Sequence, residues 1–319
     1  MTTQLLDRRR LLVGAAPAAG LALTAGCAAP GAPGTRTASA ARSSTSSASA
    51  TTQAKTPATP TVPQTPETTP SATPTPGGTI RRVDAPALAD RLDNYLDGRR
   101  GDLGLELIDL RRGQSFRYDA EEGYCYSTVK VLVLTTLLHQ LQSDDQQLST
   151  RQRRLAERMI TRSDNVATES LLAEVGREEL RRVGKLVGME HTHMDDGWWG
   201  LWRTTPGDLN LMVGAVLSSD AVLDGSRRAT ARFLMADVVP EQRWGVFAPE
   251  SSRVHVAAKN GWGPLPDGYR LNSAGWVLAD DREYQLAILS TSPSGFRYGR
   301  RTICEVADIC HRAVQKGLS

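Results

Sequence analysis

An α+β fold is predicted for residues 80–319: an antiparallel five-stranded sheet flanked by helices from both chain ends, with an all-helical lobe inserted. Three observations predict it. Hydrophobic periodicity runs helix, two strands, a helical block, three strands, helix. The strands are separated by short turn-forming segments, which makes sequential neighbours antiparallel. The inserted block begins with a helix that is apolar almost all round, the mark of a buried helix.

The elements follow in order. Asp84–Leu96 places Leu88, Leu92 and Leu96 on one helical face, and Leu103–Leu110 alternates as a strand. Arg112-Gly113 turns the chain into a second strand through Phe116 and Tyr118. Ser127–Leu141 is the buried helix, with Val129, Val131, Leu132, Val133, Leu134, Leu137 and Leu138. Helical patterns then cover about 150–160, 165–175, 178–187, 206–218 and 226–239, so the lobe spans about 127–245. Strands return at Val254–Ala258, Leu271–Leu278 and Glu283–Ser290, before a last helix over Arg300–Gln315.

The first 80 positions differ in kind: they hold no aromatic residue and only Asp7 and Glu67 as acids. Arg8-Arg9-Arg10, then an apolar run to Ala25, then small residues form an export signal over 1–26 that is too short to span a bilayer comfortably. The paired arginines resemble a twin-arginine signal, with Asp7 where Ser or Thr is usual. Thr24-Ala25-Gly26-Cys27 resembles a lipobox, which makes Cys27 the lipidated residue and places the protein on the outer face of a cytoplasmic membrane; plain secretion is the alternative. Residues 27–79, nearly all Ala, Ser, Thr, Pro and Gly, are expected to form a disordered, semi-extended spacer. The net charge of +3, from 38 Lys+Arg against 35 Asp+Glu, gives no field that points to nucleic acid. A monomer is expected, with no cofactor and no metal.

Chemistry concentrates in Ser127-Thr128-Val129-Lys130, Ser163-Asp164-Asn165 and Lys259-Asn260-Gly261. The first puts a hydroxyl at a helix start and an amine one turn later on the same face. A serine hydroxyl attacks a carbonyl poorly until a base takes its proton, and a desolvated lysine amine is such a base. Only five of the 38 basic residues are lysines, so two lysines at motif positions are not a compositional accident. Arginine could not replace a basic Lys130, because it does not release its proton. Taken singly, each motif has a plain reading: a helix cap with a surface lysine, an N-cap, a strand running into a turn. Their joint occurrence in this order carries the inference.

The trio resembles that of the serine β-lactamases and penicillin-binding proteins, and class A β-lactamases in particular, over nearly all of 84–319. The resemblance implies a β-lactamase/transpeptidase-like fold and a serine hydrolase acting on a β-lactam or a D-alanyl peptide. It implies Ser127 as the acylated nucleophile, Lys130 as its base or proton relay, and Ser163 as the donor to the leaving nitrogen. It further implies Asn165 holding the substrate's side-chain amide and Lys259 facing its carboxylate. The N–H groups of Ser127 and Trp262, beside Gly261, would form the oxyanion hole. Arg270 stands near where some relatives carry a carboxylate-binding arginine. Two departures are large. The chain between Lys130 and Ser163 is short, so a substrate-gating loop is trimmed. The stretch from Met194 to Arg203, where the family carries an omega loop with a deacylating glutamate, has none; Asp195 and Asp196 are the substitutes at hand. Weak deacylation is therefore expected. An esterase or amidase with the same acyl chemistry, and a binding lipoprotein that does not turn over, are the alternatives.

Smaller signals stay open. His191 and His193 have a metal-like spacing but read more simply as loop residues. Trp198, Trp199 and Trp202 either line a cleft or pack the shortened loop. Cys304 and Cys310 are too far apart on one helix to pair, so these and Cys125 are read as buried thiols, a bridge to Cys125 being the lesser option.

Overall fold

A computed structural model of the chain describes residues 85–316. The predicted leader, Cys27 and the spacer lie outside the described residues. Helix α1 (Ala85–Leu96) leads into the hairpin β1 (Leu103–Asp109) and β2 (Gln114–Tyr118), then a short strand β3 (Gly123–Tyr124). A 3-10 turn, Tyr126–Val129, runs directly into α2 (Lys130–Ser143). The lobe continues with α3 (Thr150–Thr161), α4 (Asn165–Val175) and α5 (Arg177–Val187). A loop then leads to β4 (Arg203–Thr204), followed by α6 (Pro206–Leu217) and α7 (Gly225–Ala236). Strands β5 (Val254–Leu265), β6 (Gly268–Ala279) and β7 (Arg282–Ser292) precede α8 (Phe296–Lys316).

The five-stranded sheet is antiparallel throughout, in the order β2-β1-β7-β6-β5, as the sequence predicts. Its period-two alternation divides two cores. Leu105, Leu107, Val256, Leu271, Val277, Leu286 and Ile288 face α1 and α8. Ala257, Ala274, Trp276, Ala287 and Leu289 face the helical lobe, whose centre is α2. That helix is buried from Lys130 to Leu138, as its all-round apolar pattern requires. The helices start at ordinary caps: Ser149 with Gln152 forms a capping box on α3, and Asp164, Thr205 and Asp224 cap α4, α6 and α7.

Four boundaries differ from expectation. Ser127 belongs to the 3-10 turn, so only Lys130 of the motif is α-helical. Lys259-Asn260-Gly261 does not end a strand: β5 continues to Leu265 and closes a hairpin through Pro266-Asp267. It tolerates Pro264 because it is an edge strand. Helix α7 stops at Ala236 and not at 239, and α8 begins four residues early, at Phe296. The two-stranded sheet of β3 and β4 has no sequence pattern of its own, being two residues long on each side.

Candidate active site

Residues from both lobes meet at the seam between α2, α4 and β5. The Ser127 turn is held by its neighbours: Thr128 Oγ1 donates to Cys125 O (2.6 Å), and Cys125 N donates to Trp202 O (2.7 Å). From β6, buried Asn272 donates its side-chain amide to Tyr124 O and to Cys125 O (3.1 Å). Tyr126, immediately before the serine, has φ +45°, a left-handed conformation that a tyrosine adopts only under tertiary constraint. Ser163 likewise has φ +58°, which lets its carbonyl and its hydroxyl both face the same amine.

That amine is Lys130 Nζ. It donates to Ser163 O (2.6 Å), Ser163 Oγ (3.1 Å) and Asn165 Oδ1 (2.8 Å). Its N–H groups thus serve α4 and its cap, and none of its hydrogen bonds goes to Ser127. Lys259 Nζ approaches from β5 and donates to the same Ser163 Oγ (3.1 Å) and to Asn260 O (2.9 Å). One hydroxyl therefore bridges two fully buried amines. Burial pushes the Lys130 amine down to about 7, partly opposed by the Asp164 carboxylate. Burial, and then the charge of Lys130, holds the Lys259 amine well below the ordinary lysine range. Asp164 itself is kept ionised, first by the Ala167 N–H it caps and also by Arg158.

Glycine at 261 is required by close approach. A Cβ there would fall 2.8 Å from Ser127 N and 2.9 Å from Cys125 O. The edge strand thus lies backbone to backbone against the serine turn, which brings Gly261 and the neighbouring Trp262 of β5 beside Ser127. The Trp262 side chain points to the other face of the sheet, against Trp244 and Phe296. Asn260 also faces away, donating to Gln242 O (2.7 Å) and Trp244 O (2.9 Å); it anchors the chain ahead of β5. Arg270 shares the sheet face of Gly261 but is paired with Asp267 (2.8 Å) and lines a groove of about 620 Å³ with Tyr124 and Asn272, not the lysine–serine cluster.

The loop before β4 answers two open questions. Asp195 Oδ1 accepts from Gly197 N (2.9 Å), and Asp196 pairs with Arg181 (2.7 Å) at an exposed position. Neither reaches Lys130. Trp202 is buried and packs the loop, its indole N–H on Asp195 O (2.9 Å), whereas Trp199 belongs to the site, its ring face over Lys130 Nζ at 5.0 Å. The Trp199 N–H donates to Glu169 Oε1 (3.3 Å) on α4. Glu169 escaped sequence reading, although it lies one turn after Asn165 on the same helical face. His193 faces Glu122, and Cys125, Cys304 and Cys310 are free thiols, Cys304 only partly buried.

A sheet with one lobe of helices inserted, and two buried lysine amines bridged by the Ser163 hydroxyl beside the Ser127 turn, define a protein of the serine β-lactamase and transpeptidase fold class. Residues 148–314 match the model of the Beta-lactamase enzyme family, more than half of the 319-residue chain, and the chain belongs to that family. The fold is similar to that of a class A beta-lactamase from Bacteroides cellulosilyticus DSM 14838, with 15% identity and a TM-score of 0.65 over 73% of this chain and 99% of that chain. It is similar to a class A beta-lactamase from Mycobacterium abscessus, with 19% identity and a TM-score of 0.62 over 71% and 98%. PBP-A shows the same likeness, at 19% identity and a TM-score of 0.63 over 72% and 96%. No curated protein sequence matches the chain.

Proposed function

We propose that this protein is a serine acyl-enzyme hydrolase that opens β-lactam rings or cleaves related amides such as D-alanyl peptides, through Ser127, and that it releases the acyl group slowly. The observation that carries the reading is the Ser163 hydroxyl held 3.1 Å from both Lys130 Nζ and Lys259 Nζ. A neutral Lys130 needs only two acceptors for its N–H groups, Ser163 O and Asn165 Oδ1, and its lone pair is then free to take a proton. The Ser127 hydroxyl proton passes to that amine as Oγ bonds to the substrate carbonyl carbon. The oxyanion is met by the N–H groups of Ser127 and Trp262. As the C–N bond breaks, the Ser163 hydroxyl gives its proton to the leaving nitrogen and regains one from Lys130. Lys259 supplies positive charge for a substrate carboxylate and holds Ser163 in place.

Slow release follows from the donors at hand. No carboxylate hydrogen-bonds Lys130, and Asp195 and Asp196 are engaged elsewhere. The same fact favours a second reading, a lipid-tethered protein that acylates once and serves as a binder. Export and anchoring through Cys27 belong to the proposal and explain an extracytoplasmic substrate. Intact-mass and peptide mass spectrometry after exposure to a fluorescent penicillin test it. One adduct on the Ser127 peptide is expected, lost in Ser127→Ala. Lys130→Arg should slow its formation by about 10²–10⁴-fold, the usual cost of a general base. A chromogenic cephalosporin should give a burst near one equivalent and then slow turnover. Normal labelling of Ser127→Ala refutes the reading.

A further inference from the structure

Among the described residues, Trp199 is the aromatic ring whose face meets a site amine. Its ring centre lies 5.0 Å from Lys130 Nζ, and the side chain is 2% exposed. The 3-10 turn that carries it, Trp199–Leu201, packs against the turn that carries Ser127. Two contacts fix its position. The indole N–H donates to Glu169 Oε1 (3.3 Å), an exposed carboxylate on the helix that also bears Asn165. The ring of Trp198 lies 4.9 Å away. Gly200 makes that arrangement possible, since a Cβ there would fall 2.4 Å from the Trp198 ring. Trp199 thus meets the amine with its face and Glu169 with its edge, standing at both the solvent-facing acid and the buried base.

We infer that Trp199 sets the lifetime of the acyl-enzyme: its ring roofs Lys130 and denies water a place between that amine and the Ser127 ester, while Glu169 positions the ring. The inference rests on the acyl-enzyme reading above and deepens it. Hydrolysis needs a water whose oxygen bonds to the ester carbonyl carbon and whose proton goes to a base. The carbonyl-carbon–Oγ bond then breaks, and Ser127 Oγ takes a proton back. With no carboxylate on Lys130, that amine itself, neutral again once its proton has passed through Ser163, is the base left for the step. What the ring removes is the room for the nucleophile. A ring that excludes water also accounts for the low amine pKa, since desolvation is its first cause.

The test is the lifetime of the fluorescent-penicillin adduct on the full chain, followed by intact mass. Trp199→Ala and Trp199→Leu are expected to shorten it by about a hundredfold or more, the lower end of what a general-base step supplies. Trp199→Phe keeps an aromatic roof but loses the N–H to Glu169, so its lifetime should fall between wild type and Trp199→Leu, close to that of Glu169→Ala. Glu169→Ala should shorten the lifetime less than Trp199→Ala, and Glu169→Gln, which still offers an acceptor, should restore it. Thermal melts accompany each variant, and Trp199→Leu carries the test if the alanine variant does not fold. A folded leucine variant with an unchanged lifetime, or a wild type that hydrolyses its adduct rapidly, overturns the inference. Absence of any Ser127 adduct, in wild type and variants alike, overturns the acyl-enzyme reading instead.

Discussion

A lysine amine lowered to about 7 by burial costs stability wherever the unfolded chain binds a proton that the native chain does not. Unfolded, Lys130 titrates near the ordinary 10.5, so as pH falls from there toward about 7 the unfolded state gains a proton first and stability is lost. Below about 7 both states are protonated and the loss is complete. Lys130→Met should flatten that slope, and urea unfolding at several pH values between about 6 and 10 measures it. An unaltered slope means that the amine is not desolvated. The same titration governs function, because only the neutral amine takes the Ser127 proton. The rate of adduct formation should therefore rise with pH through an inflection near 7. Rates independent of pH across that window would place the base elsewhere. The stability cost is local to the site, and it is the condition for having a base there at neutral pH.

At the scale of elements, the contact that matters most is between an edge strand and a 3-10 turn. Glycine at 261 lets β5 lie against Ser127 N, so Gly261→Ala must push the strand or the turn by several tenths of an ångström. Its flank in β5 pairs with β6 over twelve residues, and the fold should survive. Acylation should fall by about 10²–10³-fold, the cost of one misplaced oxyanion donor, and the domain should lose about 1–3 kcal/mol of stability to the overpacking. A variant that labels at the wild-type rate would show that Trp262 N–H is no part of the site. This contact also marks where sequence reading stops. Asn260-Gly261 carries a turn signal, and nothing local says that the strand runs on; the pairing with β6 overrides it. That Lys130, Ser163 and Lys259 come together was legible from the joint occurrence of the three motifs and the resemblance it carries, since each motif alone has a plain reading. Leu88, Leu92 and the α2 leucines were legible from periodicity. Glu169 was not, and Trp199 was legible only as one of three tryptophans that either line a cleft or pack the loop: the two are 30 residues apart, and the path of the loop before β4 brings the indole onto the amine. Arg270 had a plausible place on β6, but its pairing with Asp267 is set by the hairpin that closes just before it.

At the scale of the whole molecule, two hydrophobic cores share one sheet, and the polar cluster sits where the lobe meets the sheet edge. Lys130 and Ser163 belong to the lobe and Lys259 to the sheet, so the bridge at Ser163 Oγ forms only when both are assembled. On the proposed reading, this domain holds the chemistry and the residues before it direct its location. No helix among the described residues is long and apolar enough to cross a membrane. We propose that retention at a membrane acts through the leader and Cys27, where a basic start, an apolar run and a lipobox-like Thr24-Ala25-Gly26-Cys27 lead into a stretch that is nearly all Ala, Ser, Thr, Pro and Gly. More than one acyl chain on that cysteine would hold the protein stably, whereas a single chain would not. Cys27→Ala should therefore move the protein from the membrane fraction to the medium, or leave its leader uncleaved, while the released domain still forms the Ser127 adduct. Membrane fractionation, combined with fluorescent-penicillin labelling of each fraction, separates the two effects. A Cys27→Ala protein that stays in the membrane, processed as before, would show that anchoring does not act through this cysteine.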